Sequence, residues 1–271
     1  MQKLPKFGVL TNPSVDTLKE IKNIARLGFD FVEIGIEEPC ATPQILLKQK
    51  DQILDLLSKY KMFTVGHTAY WVHFGSSHQK ARRGWVAEAK DMIDVASKLK
   101  INFLNFHFYG GYGQTATFPA GVRKFVENFT ESMNELNSFA RKRGVVLMLE
   151  NVPMQEKRFY GIKEFSYVIR NVPGLMIHLD IGHAFIEGGM KRIKKYIERF
   201  SNKIVHVHIH DNHGEEDEHL PVGKGLIDFV KVVKYLKKIG YDKTITFEIF
   251  TENREDTRKS MIKIKNLWKK F

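Results

Sequence analysis

Cysteine is almost absent. Cys40 is the one thiol in 271 residues, which excludes an internal disulfide framework and suits a reducing compartment. Long apolar runs are missing as well: none approaches the roughly 18 residues of a membrane span. The opening MQKLPKFGVLTNPS has no signal-peptide core. A cytoplasmic protein without a membrane partner is the expectation. Several chemical signatures are also lacking. No P-loop and no G-x-S-x-G elbow occurs, and the GGYG of residues 110–113 departs from dinucleotide-binding G-x-G-x-x-G spacing. Cys40 lies in EEPCATP with no basic neighbour to stabilise a thiolate.

What is present reads as one ordinary globular domain. Hydrophobic residues make up 43% and charged residues 27%, and the length suits a single (β/α)8 barrel, typically about 250 residues. The net charge of +12 invites an anionic partner. Many of the lysines, however, sit in segments such as KRIKKYIERF and RKSMIKIKNLWKK, where a solvated helix face is the simpler account.

Buried-strand runs alternate with helical patterns along the whole chain. FGVL, FDFVEIG, MFTVGH, INFLNFH, VVLMLE, LMIHLD, KIVHVHIH and ITFEIF read as strands. Between them, residues 14–28 form a helix capped by Ser14 or Asp16 and ended by Gly28, and residues 41–60 read as one helix. Glycine-rich residues 110–119 lead into a long helix ending near Arg143 and Gly144. Further helices are expected around Lys163–Asn171, Met190–Phe200 and Leu226–Ile239, with a basic amphipathic helix at the end. Continuous apolar strands separated by helices predict a parallel sheet buried on both faces. The fold class is therefore α/β, a (β/α)8 TIM barrel over residues 1–271, with a doubly wound sheet as the alternative.

The ends of these strands carry the chemistry. His67, His107, Glu150, Asp180 and Glu248 each follow or close an apolar run, and in a barrel the carboxyl ends of all strands meet on one face. A carboxylate ending a buried strand is costly unless paired or bound to a cation, so Glu150 and Glu248 are the strongest members. His183 stands three residues after Asp180 on the same turn. His206, His208 and His210 alternate, so they share one side of their strand. Only one of them need be a ligand; the others would donate hydrogen bonds to ligands. Asp217 and His219 offer an anion and an imidazole in the following loop, which Gly223 and Gly225 return to the barrel. Mixed imidazole and carboxylate groups suit Zn2+, with Mn2+ or Fe2+ as alternatives.

These motifs resemble the xylose-isomerase-like TIM barrels, which include endonuclease IV and many sugar isomerases and epimerases. His67-Thr-Ala-Tyr70 resembles the endonuclease H-x-x-Y stretch, and Leu104-Asn-Phe-His107 its L-N-F-H. Leu149-Glu150-Asn151, Asp180-Ile-Gly-His183, His208-Ile-His-Asp211 and Asp217-Glu-His219 resemble the later motifs, with Glu248 at the closing glutamate. The resemblance selects His208 and implies up to three zinc ions held by all nine ligands. It implies a smaller set in the isomerases, close to Glu150, Asp180, His208 and Glu248. In the DNA-cleaving branch it implies hydrolysis at abasic sites, with Asp180 orienting the nucleophile and Tyr70 stacking in the gap. In the other branch Glu150 and Glu248 act as acid and base on a sugar or sugar phosphate through an enediolate. Tyr70, Trp71, Phe108, Tyr109 and Lys224 would contact substrate. The full ligand set and the basic charge favour the nuclease; the acidic GIEEPCATP loop after strand two, where phosphate contacts would be wanted, favours the isomerase.

Overall fold

The computed structural model describes residues 3–109, 119–153, 161–252 and 254–271. Eight parallel strands close into a barrel in chain order: β1 (Lys6–Leu10), β2 (Phe31–Ile36), β3 (Phe63–Thr68), β4 (Phe103–His107), β5 (Val146–Glu150), β6 (Met176–Asp180), β7 (Ile204–Ile209) and β8 (Thr244–Phe247). The helices are α1 (Thr17–Arg26), α2 (Pro43–Lys48), α3 (Lys50–Tyr60), α4 (Gln79–Lys98), α5 (Pro119–Arg141), α6 (Ile162–Asn171), α7 (Ile181–Arg199), α8 (Phe229–Lys238) and α9 (Arg254–Lys270). The ring closes because β8 pairs with β1, Lys6 opposite Thr244. The flat doubly wound alternative is thereby excluded. No helix of the described residues is long and apolar enough to cross a membrane. The glycine-rich stretch at 110–118 lies outside the described residues.

Period-two alternation divides each strand between two cores. Outward side chains such as Val32, Ile34, Phe106, Leu147, Leu149, Ile177 and Leu179 are buried against the helices. Inward side chains form a second, smaller apolar plug at the amino-terminal end: Phe31, Val65, Met148 and Val205, with Phe103 and Met176 against them. One or two steps further along the same strands, the inward positions turn polar: Glu33, His67, Asn105, His107, Glu150, His178 and Asp180, all buried. A barrel interior is usually filled with branched aliphatic residues. Here only its lower end is apolar, and phenylalanine and methionine fill it together with valine.

Three helix expectations change. The segment 41–60 is two helices, α2 and α3, because Gln49 departs from helical geometry between them (φ −92°, ψ 0°). The helix expected at Met190–Phe200 begins at Ile181 instead, directly off β6. Asp180 caps it by accepting the His183 N–H at 2.6 Å. Gly188 and Gly189 interrupt it, Gly189 at φ +63°, so the expected segment is its second half. The helix expected from Leu226 starts at Phe229, where Asp228 caps it. In the first unit Asp16, rather than Ser14, accepts the Lys19 N–H at 3.0 Å.

Candidate metal centre

All nine residues singled out by their positions lie around the carboxyl-terminal mouth. His67, His107 and Glu150 present ligand atoms within 4.8 Å of one another, as do His67, His208 and Glu248, and Glu150, Asp180 and His183. A further group joins His183, His210, Asp217 and His219 within the same limit. His67, Glu150 and His183 thus link neighbouring groups into one continuous cluster. Strand register explains the convergence: His107 lies beside Glu150, and Asp180 beside His208, on adjacent strands.

Glu150 is the hub. Its Oε2 is 3.0 Å from His107 Nε2, 3.1 Å from His178 Nδ1 and 3.6 Å from His67 Nε2, while Oε1 is 3.4 Å from His183 Nδ1. Asn105, two residues before His107 on β4, donates from Nδ2 to Glu150 Oε2 at 2.5 Å. The Asn105 side-chain oxygen accepts the Thr68 N–H at 2.8 Å, which locks the donor in place. Burial alone would raise the Glu150 carboxyl; the imidazoles of His178 and His107 outweigh it and hold Glu150 well below the ordinary range. For His178, burial dominates and drives the ring down to about 3.

Glu248 stands one residue past β8, its Oε2 at 3.0 Å from His208 Nδ1. Burial opposes its charge, but His219 and His208 win and lower it. Asp180 Oδ2 lies 3.8 Å from His208 Nδ1 and has no hydrogen-bond partner among the described residues. In the loop after β7, Asp217 Oδ2 is 3.0 Å from His183 Nε2 and 3.1 Å from His219 Nε2. Against their burial, Asp180 and Asp217 lift His183 well above its usual range. Glu248 and Asp217 lift His219 to about 9.

The loop is built for this. Asp211, fully buried, accepts N–H groups from Asn212 at 3.0 Å, Gly223 at 2.8 Å and Ile227 at 3.1 Å. Its backbone pairs with Leu220 in both directions. A Cβ on Gly225 would stand 2.4 Å from the Asn212 carbonyl oxygen, so the returning chain passes where no side chain fits. Asp211→Ala is expected to strand three N–H groups, those of Asn212 and Ile227 buried, and cost about 2–4 kcal/mol. Chemical denaturation would measure it; a change below about 0.5 kcal/mol would show that the loop holds without Asp211.

Sequence reasoning missed four participants and gave a fifth, His210, a lesser part. Glu33, Asn105 and His178 sit two residues before a ligand or one level below it. His210, expected only as a hydrogen-bond donor, has its Nε2 3.2 Å from Asp180 Oδ1 and stands among the outer group. Glu37, just past β2, is half-buried and near enough to feel His67 and Glu248; burial and Glu248 raise its carboxyl. The detectable signal for most of them was the same alternation that marked the ligands, read one step back along the strand.

The expected substrate contacts divide. Tyr70 (53% exposed) and Trp71 (40% exposed) lie at the rim. Tyr70 meets Trp71 edge-on at 5.4 Å and Tyr109 at 5.6 Å between centroids. Lys224 is exposed on the turn after Pro221. Phe108 does not wall the pocket. It is buried in the outer core against Phe129 and Phe165, because His107 faces inward and its neighbour must face out.

The donor set fits a divalent cation. Imidazole nitrogens and carboxylate oxygens from separate strands approach one another with His67 Nε2, His107 Nδ1 and Asp180 Oδ2 buried and unpartnered among the described residues. Buried polar atoms without partners are costly, and a cation is the group that this mixture of donors accepts.

Fold and mouth together define a TIM-barrel protein with a clustered histidine and carboxylate centre. The chain matches the family described as xylose isomerase-like TIM barrel over residues 21–267, and it belongs to that family. An uncharacterised protein of Methanocaldococcus jannaschii is 30% identical over 247 residues, covering 90% of this chain and 92% of that one. An L-ribulose 3-epimerase of a Methylomonas species is 26% identical, covering 92% and 85%. The crystal structure of a D-tagatose 3-epimerase-like protein aligns with a TM-score of 0.84 at 28% identity over 97% of each chain. The two relatives with epimerase names support the isomerase branch; the expectation of endonuclease IV activity, abasic DNA as partner and DNA repair finds no support among the three.

Proposed function

We propose that the protein is a metal-dependent sugar or sugar-phosphate epimerase or isomerase that moves a proton beside a ketose carbonyl. The observation that carries this reading is the placement of two buried carboxylates, Glu150 and Glu248, in one mouth with His67 within ligand distance of both. The relatives' names, epimerases of small sugars, point the same way. The acids of the strand-two loop fit it too, since an exposed carboxylate there, Glu38, disfavours a polyanion.

In this reading Glu150, Asp180, His208 and Glu248 hold the principal cation, while His67, His107, His183, Asp217 and His219 extend the set to further ions. A bound divalent cation supplies positive charge where a substrate oxygen becomes negative. The chain's own groups do the rest. One glutamate, ionised, takes the proton from the carbon next to the carbonyl, and the bonding pair passes into an enediolate. The other takes a proton from the substrate hydroxyl and delivers it to the opposite face. The first returns its proton to that oxygen, and both end as carboxylates, ready for the reverse reaction. Asn105 keeps Glu150 aimed, and the rim aromatics Tyr70, Trp71 and Tyr109 shelter the sugar from water.

The test is exchange of a substrate C–H proton into D2O, followed by NMR across ketoses and their phosphates, with incision of an abasic duplex run alongside. Exchange with at least one ketose and no incision supports the proposal. Incision at abasic sites without exchange overturns it in favour of the nuclease.

A further inference from the structure

Below the mouth lies a sealed polar layer that the proposed chemistry does not use. Glu33 on β2 is fully buried, and its Oε2 stands 2.9 Å from His208 Nε2 and 3.0 Å from His206 Nε2. The other nitrogen of His208, Nδ1, faces Glu248 at 3.0 Å and Asp180 at 3.8 Å. The other nitrogen of His206 meets Thr244 Oγ1 at 2.8 Å. One imidazole is therefore gripped from beneath by a carboxylate while its upper nitrogen looks into the mouth.

We propose that Glu33 is a positioning residue for the metal centre: it fixes His208 with Nε2 protonated and Nδ1 free to bind the cation. The inference rests on His208 being a ligand. A buried carboxylate is tolerable only with partners, and here the partners are two imidazole N–H groups at ordinary hydrogen-bond length. An imidazole held in this way cannot flip, keeps one tautomer, and becomes a more basic ligand. Glu33, His178, His206 and His208 also present ligand atoms within 4.8 Å of one another. Yet His206 and His208 already turn their Nε2 atoms to the Glu33 carboxylate, and His178 turns its Nδ1 to Glu150. The carboxylate is thus read as a clamp on a ligand and not as a ligand itself.

The experiment uses the intact protein loaded with Zn2+. Long-range 1H–15N correlation of the imidazoles, with His208 assigned by substitution, should show its Nε2 protonated and its Nδ1 metal-bound. An unprotonated Nε2 overturns the proposal, and this measurement needs no Glu33 variant to fold. Zn2+ affinity is then measured by competition with a chelating indicator. Glu33→Gln should bind about ten- to a hundredfold more weakly, with the number of ions at saturation unchanged. Thr244→Val, which loosens the same layer without touching the bond to His208, should stay within about threefold of the parent. Equal losses in both variants, no loss in Glu33→Gln, or one ion fewer at saturation each overturn it. A parent protein that binds no Zn2+ would instead sink the reading of the mouth as a metal centre, and this inference with it.

Discussion

Replacing Glu150 by Gln is expected to lower turnover by a thousandfold or more while leaving the barrel folded. The substitution keeps size and shape, so the Asn105 Nδ2 donor that meets Glu150 at 2.5 Å still finds an oxygen. It removes the charge that four imidazoles face, those of His67, His107, His178 and His183. A positioned acid or base contributes about 10²–10⁴ in rate, and loss of a cation ligand at the same atom adds to it. Glu248→Gln gives a sharper result. With two carboxylates serving opposite faces of one carbon, that variant should stop epimerisation yet still exchange the proton of one epimer, because Glu150 remains. NMR in D2O with each epimer separately distinguishes these outcomes. A Glu150→Gln enzyme within tenfold of the parent rate removes Glu150 from the reaction, and exchange from both epimers by Glu248→Gln removes the two-base scheme.

Chelation should lower the unfolding midpoint by about 5–10 °C at neutral pH, since a ligand at a hundred times its Kd stabilises by about 2.7 kcal/mol and each kcal/mol moves a domain of this size by about 2–4 °C. The gap should widen as the pH rises. In the metal-free protein Glu248 and Asp217, against burial, raise His219 from 6.5 to about 9. A group raised in the folded state gives its stability fully below the unfolded value and loses it as pH climbs through the folded one. That contribution is about 3 kcal/mol, and it fades between pH 6.5 and 9. Glu150, Asp217 and Glu248 are lowered instead. Their contribution is lost only in acid and is flat across this window. Binding of a further ion at His219 must displace the His219 proton, so the apparent affinity for that ion should rise about tenfold per pH unit until the proton is gone. Thermal unfolding with and without Zn2+ from pH 6.5 to 9 reads both effects. A gap that narrows with pH would show that His219 carries no proton the cation must displace.

Much of this site was legible because strand alternation is local. A run such as INFLNFH announces both a buried strand and a histidine at its end, and burial of a strand-end carboxylate such as Glu150 is informative without any structure. Phe108 shows the limit of the reading: an aromatic next to a ligand suggested a pocket wall, while the pleat turns it into the outer core. Asp180 shows another. Its role as helix cap for His183 depends on a helix beginning immediately at the strand end, which the Gly188-Gly189 interruption concealed in the pattern. Glu33 was visible as an acid near the end of a strand, but nothing in its neighbours connects it with a histidine 175 positions away.

The order of strands, the apolar faces and the candidate residues at the strand ends were legible in the sequence alone, because period and burial act over a few neighbouring residues; only the family resemblance chose His208 from its alternating trio. Which groups share an ion, which imidazole nitrogen faces the mouth, and which acids support the others were decided only by tertiary structure. Ring closure and strand register set those distances, and electrostatic coupling depends on distance in space rather than along the chain.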